Sequence, residues 1–291
     1  MLDDWWDVLG CPYCQAGLRP VRDNAAAIQC LACGRQFSLA GGIPRLVRHE
    51  DAARLERLSQ EYRQARLDEG FGSLGRDQVL ALPYGRPPGY PPLYWQVRRQ
   101  SFCALMGVLA REGLAPGAGP VADLGAGIGW LSYRLAELGY RVAAVDASLD
   151  ETFGLGMARA TFSSLANLLP VQGDLEHPPL HAGQFGAVVL NASLHYAQDL
   201  EGAVYRAAQA LRPGGRLFIL DTPIAREPEP GTGRGDRHLG LRELEGALMA
   251  AGLEPRWLSV RRGWRWWAHQ AKAWLKRQPG FSFPMMVAGR A

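Results

Sequence analysis

The run Val121-Ala122-Asp123-Leu124-Gly125-Ala126-Gly127-Ile128-Gly129 sets a short apolar, β-rich segment against a glycine turn, with a helical pattern starting directly after it. Glycines permit the tight turn and let a ligand come close to the backbone. The spacing is G-x-G-x-G. A dinucleotide fingerprint, G-x-G-x-x-G, would need its third glycine at Trp130, where an indole would crowd the helix against the strand. No Lys-Ser/Thr pair follows to make a phosphate loop, so both rival nucleotide classes are disfavoured.

Outward from that run, short β-rich segments alternate with helical ones. Residues 120–124, 141–146, 169–172, 186–190 and 216–220 read as buried parallel strands, with helices near 129–138, 148–166, 199–211 and 240–251. Two more strands are expected at 256–261 and 282–289. The pattern predicts an α/β fold with a doubly wound, Rossmann-like sheet of seven strands.

With Asp123 two residues before the first glycine, the stretch resembles motif I of class I S-adenosylmethionine-dependent methyltransferases, and the resemblance extends over about 120–222. It implies a cofactor loop of Asp123, Gly125, Ala126, Gly127 and Gly129. Asp146, followed by Ala147, closes the second strand 19 residues past Gly127, where an acid can accept both ribose hydroxyls. Gly173-Asp174-Leu175 follows the third strand, where the family uses an acid for the adenine amine and the next backbone N–H for the ring. Asn191 closes the fourth strand, and Leu211-Arg212-Pro213-Gly214-Gly215-Arg216-Leu217 is the turn these enzymes place before the fifth. In this family the seventh strand is antiparallel to the rest.

At the other end of the chain, Cys11-Pro-Tyr-Cys14 and Cys30-Leu-Ala-Cys33 have the spacing of two knuckles closing on one tetrahedral zinc. Four thiolates leave no open position for water, so the expected metal is structural. A pair of redox CxxC motifs would want a thioredoxin-like βαβ context, which is missing. Gly34-Arg35-Gln36-Phe37 and Gly41-Gly42-Ile43-Pro44-Arg45-Leu46 resemble the small zinc-ribbon proteins that activate tRNA and protein methyltransferases, over roughly residues 9–48.

Composition sets outer bounds. The 291 residues are 47% hydrophobic and 21% charged, which excludes disorder and collagen and provides for one large or two modest cores. Five cysteines, four of them within the first 33 residues, do not make a disulfide scaffold. No apolar run is long enough to span a membrane, and the acidic start is unlike a secretory signal, so a soluble, cytoplasmic protein is expected. Three parts follow: a zinc ribbon at 1–48, a helical and Pro-rich cap and linker at 49–118, and the methyltransferase domain at 119–291, with lid insertions at about 222–239 and 263–280. The net charge of +4 is uneven, running −4 over 121–225 and +6 over 226–291, and from Arg256 onward there are eight basic residues and no acid.

The loop Asn191-Ala192-Ser193-Leu194-His195-Tyr196 is where the family presents acceptor-facing residues. It lacks the Asn/Asp-Pro-Pro-Tyr/Phe motif of exocyclic adenine methylation and a Pro-Cys nucleophile for pyrimidine carbon-5. Cys103, the one spare thiol, reads as a core residue. His195 is the imidazole nearest the reacting centre and a candidate general base. In the second insertion Trp264, Trp267, Ala268, Ala271, Trp274 and Leu275 share a helical face, opposite most of Arg262, Arg265, His269, Lys272 and Lys276. The expectation is a lid whose tryptophans pack on the domain, with Tyr84, Tyr90, Tyr94 and Trp95 walling a pocket from the other side. A small, partly aromatic or apolar acceptor leads, ahead of structured RNA and a non-catalytic scaffold that docks a partner.

Overall fold

The computed structural model describes residues 2–22, 24–91, 93–225, 239–268 and 283–290. Four short strands come first: β1 (Leu18–Val21), β2 (Asn24–Cys30), β3 (Gln36–Ala40) and β4 (Ile43–Arg45). Three helices follow: α1 (Ala52–Asp68), α2 (Arg76–Leu80) and α3 (Tyr94–Arg111). Then β5 (Val121–Leu124), α4 (Trp130–Glu137), β6 (Val142–Asp146), α5 (Leu155–Phe162), β7 (Leu168–Gln172), β8 (Phe185–Asn191), α6 (Leu200–Ala210) and β9 (Leu211–Leu220) form the winding expected from the glycine loop. The short pair β10 (Ile224–Ala225) and β11 (Leu239–Gly240), then α7 (Leu241–Ala250), β12 (Glu254–Leu258) and β13 (Met285–Gly289), complete the described chain.

The strand order β7-β6-β5-β8-β9-β13-β12 is the anticipated seven, with β5 at the topological switch point between β6 and β8. β13 runs antiparallel to both β9 and β12, the one reversed strand the resemblance called for. The central strands are buried on both faces, as their unbroken apolar composition requires.

One expectation changes. The sheet has eleven described strands, not seven, because β1 to β4 continue it past β7. Arg45 pairs in parallel with Gln172, and the Leu46 backbone N–H donates to the Gln172 carbonyl at 2.9 Å. The edge of β7 that would otherwise expose unpaired backbone groups is thereby covered. The N-terminal segment also builds no core of its own. Trp5, Val8, Leu9, Ile28, Phe37 and Leu46 belong to the same buried cluster as Leu124, Val145, Val188 and Leu190 of the central strands. The other face of the sheet is covered by α3 together with α4 and α5.

Smaller differences follow from local chemistry. The helix expected over 148–166 is shortened to α5, because Asp146, Ser148 and Asp150 accept backbone N–H bonds in successive turns and hold 147–153 outside the helix. Cys103 is exposed on α3 and is not a core residue. The insertion calls fall mainly on 226–238 and 269–282, outside the described residues, and with them Ala271, Lys272, Trp274, Leu275, Lys276 and His269. Among the described residues no helix is long and apolar enough to cross a membrane.

Shared burial between the ribbon and the sheet has a thermodynamic consequence. Trp5 is 1% exposed, so Trp5→Ala should cost about 3 to 5 kcal/mol of global stability. Urea unfolding followed by far-ultraviolet dichroism and by tryptophan fluorescence is expected to give one coincident transition that moves as a whole. A separate ribbon transition, with the sheet unaffected, would contradict the common core.

Candidate active site

The glycine loop is pinned by the strand beside it. The Gly125 and Ala126 backbone N–H groups both donate to the Val145 carbonyl, at 2.8 and 3.0 Å. The Gly127 N–H donates to Asp146 Oδ2 at 2.7 Å, and the Ser148 N–H to Asp146 Oδ1 at 2.8 Å. Gly125 has φ +78°, and a Cβ there would lie 2.2 Å from the Cβ of Ser193, so no other residue fits. Gly129, with φ +74°, stands at the N-terminus of α4, where a Cβ would meet Ala158 at 2.9 Å.

These contacts place two carboxylates under the loop. Asp123 is buried; its Oδ2 accepts from Ser132 Oγ at 2.6 Å, and its Oδ1 is buried without a hydrogen-bond partner. Burial, and secondarily the Asp146 charge, pushes the Asp123 carboxyl up to about 7. Burial also raises Asp146, against the pull of its backbone N–H donors. Both acids are therefore held at a cost that a cationic ligand would relieve.

Two adjoining compartments open beneath the strand ends. The first, about 100 Å³, is walled by Gly125, Gly127, Asp146, Ala147, Gly173, Asp174 and Leu175, and roofed by Leu55, Leu58, Ser59 and Tyr62 of α1. The second, about 90 Å³, shares Tyr62, Gly125, Gly127, Phe153 and Ala192 with the first and adds Asp123, Ala126 and Asn191. Its outer wall is aromatic and basic: Phe71, Tyr90, Tyr94, Trp95, Trp130, Arg66 and Arg98. Phe71 and Tyr90 stack at 4.5 Å, and Trp95 meets Trp130 edge-on at 5.7 Å. Ala192 takes φ +53° at the end of β8, a strained conformation of the kind that gathers at functional rims.

The anticipated cofactor residues Asp123, Gly125, Ala126, Gly127, Asp146, Ala147, Asp174, Leu175 and Asn191 thus line these two adjoining compartments. Gly129 acts one step back, as the cap of α4. His195 does not line either compartment: it is buried in a 3-10 turn with its ring 4.3 Å from that of Tyr196, and Tyr196 forms the wall instead. Tyr90, Tyr94 and Trp95 line the second compartment, and Tyr84, Tyr90 and Trp95 also line a cleft of about 1110 Å³ together with Gly263, Trp264 and Arg265 of the expected lid.

The role of α1 was not anticipated. Arg54 ion-pairs with Asp174, Ser59 Oγ donates to Ser148 Oγ at 2.6 Å, Arg63 pairs with Asp150 at 3.0 Å, and the Tyr62 and Tyr196 rings meet edge-on. Leu55, Leu58, Ser59, Tyr62 and Arg66 do fall at helical spacing, a stripe visible in the sequence but diluted by arginines and glutamines on the other faces.

The lid face is also corrected. Trp264 and Trp267 are 74% and 65% exposed and do not pack on the domain. The inward residues are Trp266, edge-on to Phe283 at 5.6 Å, and Arg262. The Arg262 guanidinium, 5% exposed, donates to the Val97 and Phe283 carbonyls at 2.8 and 2.9 Å and lies 3.4 Å from the Asp221 carboxylate. An ion pair needing burial outcompeted the apolar stripe.

At the far end of the sheet the four ribbon sulfurs converge. Cys11 and Cys33 Sγ are 3.7 Å apart, Cys14 and Cys30 Sγ are 3.5 Å apart, and all four lie within 4.8 Å of one another with no disulfide among them.

Comparison with known proteins agrees with this geometry. Residues 122–219 match a family model described as a methyltransferase domain. This stretch is a methyltransferase domain. An uncharacterized methyltransferase of Mycobacterium bovis is 38% identical over 150 residues, covering 52% of this chain and 51% of its own. A ubiquinone biosynthesis O-methyltransferase of Xanthomonas axonopodis pv. citri is 31% identical over 106 residues, covering 36% and 44%. The chain spans about half the length of the curated relatives it matches. Among solved structures, the 1,6-didemethyltoxoflavin-N1-methyltransferase of Burkholderia thailandensis has a TM-score of 0.54 at 19% identity, covering 90% of this chain and 97% of that one, a likeness of fold.

The buried acid yields a test of sign. With its pKa raised from about 3.8 to about 7, Asp123 in the free protein retains a proton that an unfolded aspartate has lost. Its contribution to stability is fully present at low pH and is lost as pH rises from about 4 through 7. Asp123→Asn should therefore raise the melting temperature of the ligand-free protein more at pH 8 than at pH 5. Equal shifts at the two pH values would show that Asp123 is already ionised in the fold.

Proposed function

We propose that this protein transfers the methyl group of S-adenosylmethionine to a small, partly aromatic or apolar acceptor. The observation that carries the reading is the unpartnered, buried Asp123 Oδ1 beside the glycine loop, in a space whose second acid, Asp146, stands at the end of β6. S-adenosylmethionine supplies a methyl already activated on a sulfonium, so the chain has to hold, orient and shield more than to activate. Asp146 would accept the ribose hydroxyls, Asp174 and the Leu175 backbone would receive the adenine, and Asp123 would meet the cationic methionine end. Compartments of about 100 and 90 Å³ are smaller than the ~300 Å³ typical of sites for ligands of this size, so loading would draw α1 outward and open the Arg54–Asp174 pair.

The aromatic wall supports a flat, partly apolar acceptor stacked against the methyl. No described wall residue of the acceptor compartment is a histidine, and burial holds the Tyr90 phenol at about 12, which makes it a poor base. His195, behind Tyr196, would act by fixing the position of that ring. An acceptor that loses its proton to solvent suits this wall best. The RNA alternative has one observation in its favour: Arg86, Arg99, Arg111, Arg261 and Arg265 line the wide cleft, with no carboxylate among its lining residues. Tyr90 and Trp95, which line both spaces, stand between that cleft and the glycine loop, and this favours the small acceptor.

The ribbon sulfurs would hold one structural zinc. Separations of 3.5 and 3.7 Å approach the ~3.8 Å edge of a tetrahedron with ~2.3 Å zinc–sulfur bonds.

Two measurements test these readings. Calorimetry should find S-adenosylmethionine bound by the wild type and weakened by about 1.5 to 3 kcal/mol, ten- to a hundredfold, in Asp146→Ala. Equal affinity would refute the assignment of Asp146, and no binding to the wild type would refute the function. Metal analysis of the purified protein should give one zinc per chain, lost in Cys11→Ser with a drop in melting temperature; a metal-free, fully stable wild type would exclude the site.

A further inference from the structure

The acceptor compartment carries two guanidinium groups that the methyl-transfer reading leaves unused. Arg98 reaches it from α3, its guanidinium carbon over the Tyr94 ring at 3.6 Å from the centroid and 5.6 Å from that of Trp95. Its only hydrogen bond among the described residues is a long one, 3.4 Å, to the Tyr94 carbonyl of its own helix, and no described carboxylate pairs with it. Arg66 enters from α1, between Tyr62 at 5.0 Å and Phe71 at 5.3 Å. One of its terminal nitrogens reaches Glu69 at 3.0 Å, while its Nε is buried and has no partner. The single acid in the wall, Asp123, lies on the glycine-loop side with its Oδ2 bonded to Ser132.

A guanidinium stacked face-on to an aromatic ring keeps its N–H edge free in the plane, where it forms paired bonds to a carboxylate or phosphate. Arg98 has no described carboxylate beside it, and Arg66 keeps a buried, unpartnered Nε in addition to its Glu69 pair, so both bring N–H groups to a small, ring-walled space where a ligand's negative charge would satisfy them. We propose that the methyl acceptor is an acid: a flat aromatic molecule bearing a carboxylate or phosphate that Arg98 and Arg66 grip while its ring lies between Tyr90, Tyr94 and the glycine loop. The proposal rests on the small-acceptor reading and deepens it, because the arginines would fix which edge of the ring is turned toward the methyl.

The test uses the full-length protein and simple probes: benzoate and phenyl phosphate against the neutral benzamide, followed by ligand-observed saturation-transfer NMR. Runs are made with and without S-adenosylhomocysteine. At least one acid should bind the wild type about tenfold more tightly than the amide, the benefit of a charge-assisted pair over a neutral one. The relative affinity of benzoate and phenyl phosphate tells which oxyanion is preferred. Arg98→Gln should bring the better acid down to the amide's affinity, whereas Arg98→Lys should retain part of the preference. S-adenosylhomocysteine affinity, measured by calorimetry, should be unchanged in both variants, which also certifies their folding; if Arg98→Gln fails that check, Arg66→Gln is read in its place. An amide that binds as well as the acids, a preference that survives in the variant read, or no probe bound at about 10 mM would overturn the proposal. Acid preference without any S-adenosylhomocysteine binding would instead sustain the anion site and sink the methyl-transfer reading.

Discussion

A parallel sheet delivers all its strand ends to one rim, but it does not by itself fix how the loop above one strand sits against the next. Here that relation is set by the Asp146 carboxylate, which receives the Gly127 N–H on one oxygen and the Ser148 N–H on the other. The same group ties β5 to β6, starts the turn that delays α5, and remains in the wall of the first compartment. Because both oxygens are anchored by backbone donors, the lone pairs facing the cavity point in a fixed direction before any ligand arrives. Gly125 completes the constraint from the other side, since Ser193 occupies the volume a Cβ would need, and Ser193 Oγ is itself bonded to the Leu124 carbonyl.

That geometry has an electrostatic cost. Asp123 is buried and Asp146 half-buried at neighbouring strand ends; desolvation raises both carboxyls, and the Asp146 charge adds to the rise at Asp123. A sheet optimised for stability alone would replace Asp123 with an apolar residue of similar size, because its neighbours on β5 are fully apolar. Its persistence makes sense when the compartment is read as complementary to positive charge at one end and, through Arg66 and Arg98, to negative charge at the other.

What the sequence disclosed and what it hid divide along physical lines. The glycine spacing, the acids at strand ends and the CxxC pairs are readable because each is a short-range pattern whose geometry is fixed within a few residues. The reversed β13 was accessible only through family resemblance, since nothing in Met285–Gly289 specifies direction. Pairing of β4 with β7 depends on a contact between Arg45 and Gln172, and no local signal announces an edge-to-edge meeting across that distance. Over the described residues 264–268 the tryptophan stripe has the wrong side inward, because periodicity identifies faces and burial of Arg262 against Asp221 decided between them. Cys103 was misplaced for a similar reason: an apolar residue type on a helix indicates an interior position only when its stripe is the one that packs.

The ribbon and the cofactor face are linked by charge as well as by the shared core. Arg48, just after β4, pairs with Asp51 at 2.7 Å; Arg54 lies 3.4 Å from Asp51 and also pairs with Asp174; Glu176 lies 3.9 Å from Arg54. These side chains are largely shielded, so they interact more strongly than surface pairs and act as a network. α1 begins inside this network and its next turns roof the first compartment. The position of the roof is thus referenced to the ribbon on one side and to the third strand end on the other. A segment whose four cysteine sulfurs converge and whose apolar face is shared with the sheet provides an anchor for α1. Displacing α1 from the compartment would break the Arg54–Asp174 and Arg63–Asp150 pairs and leave the buried strands beneath it unchanged.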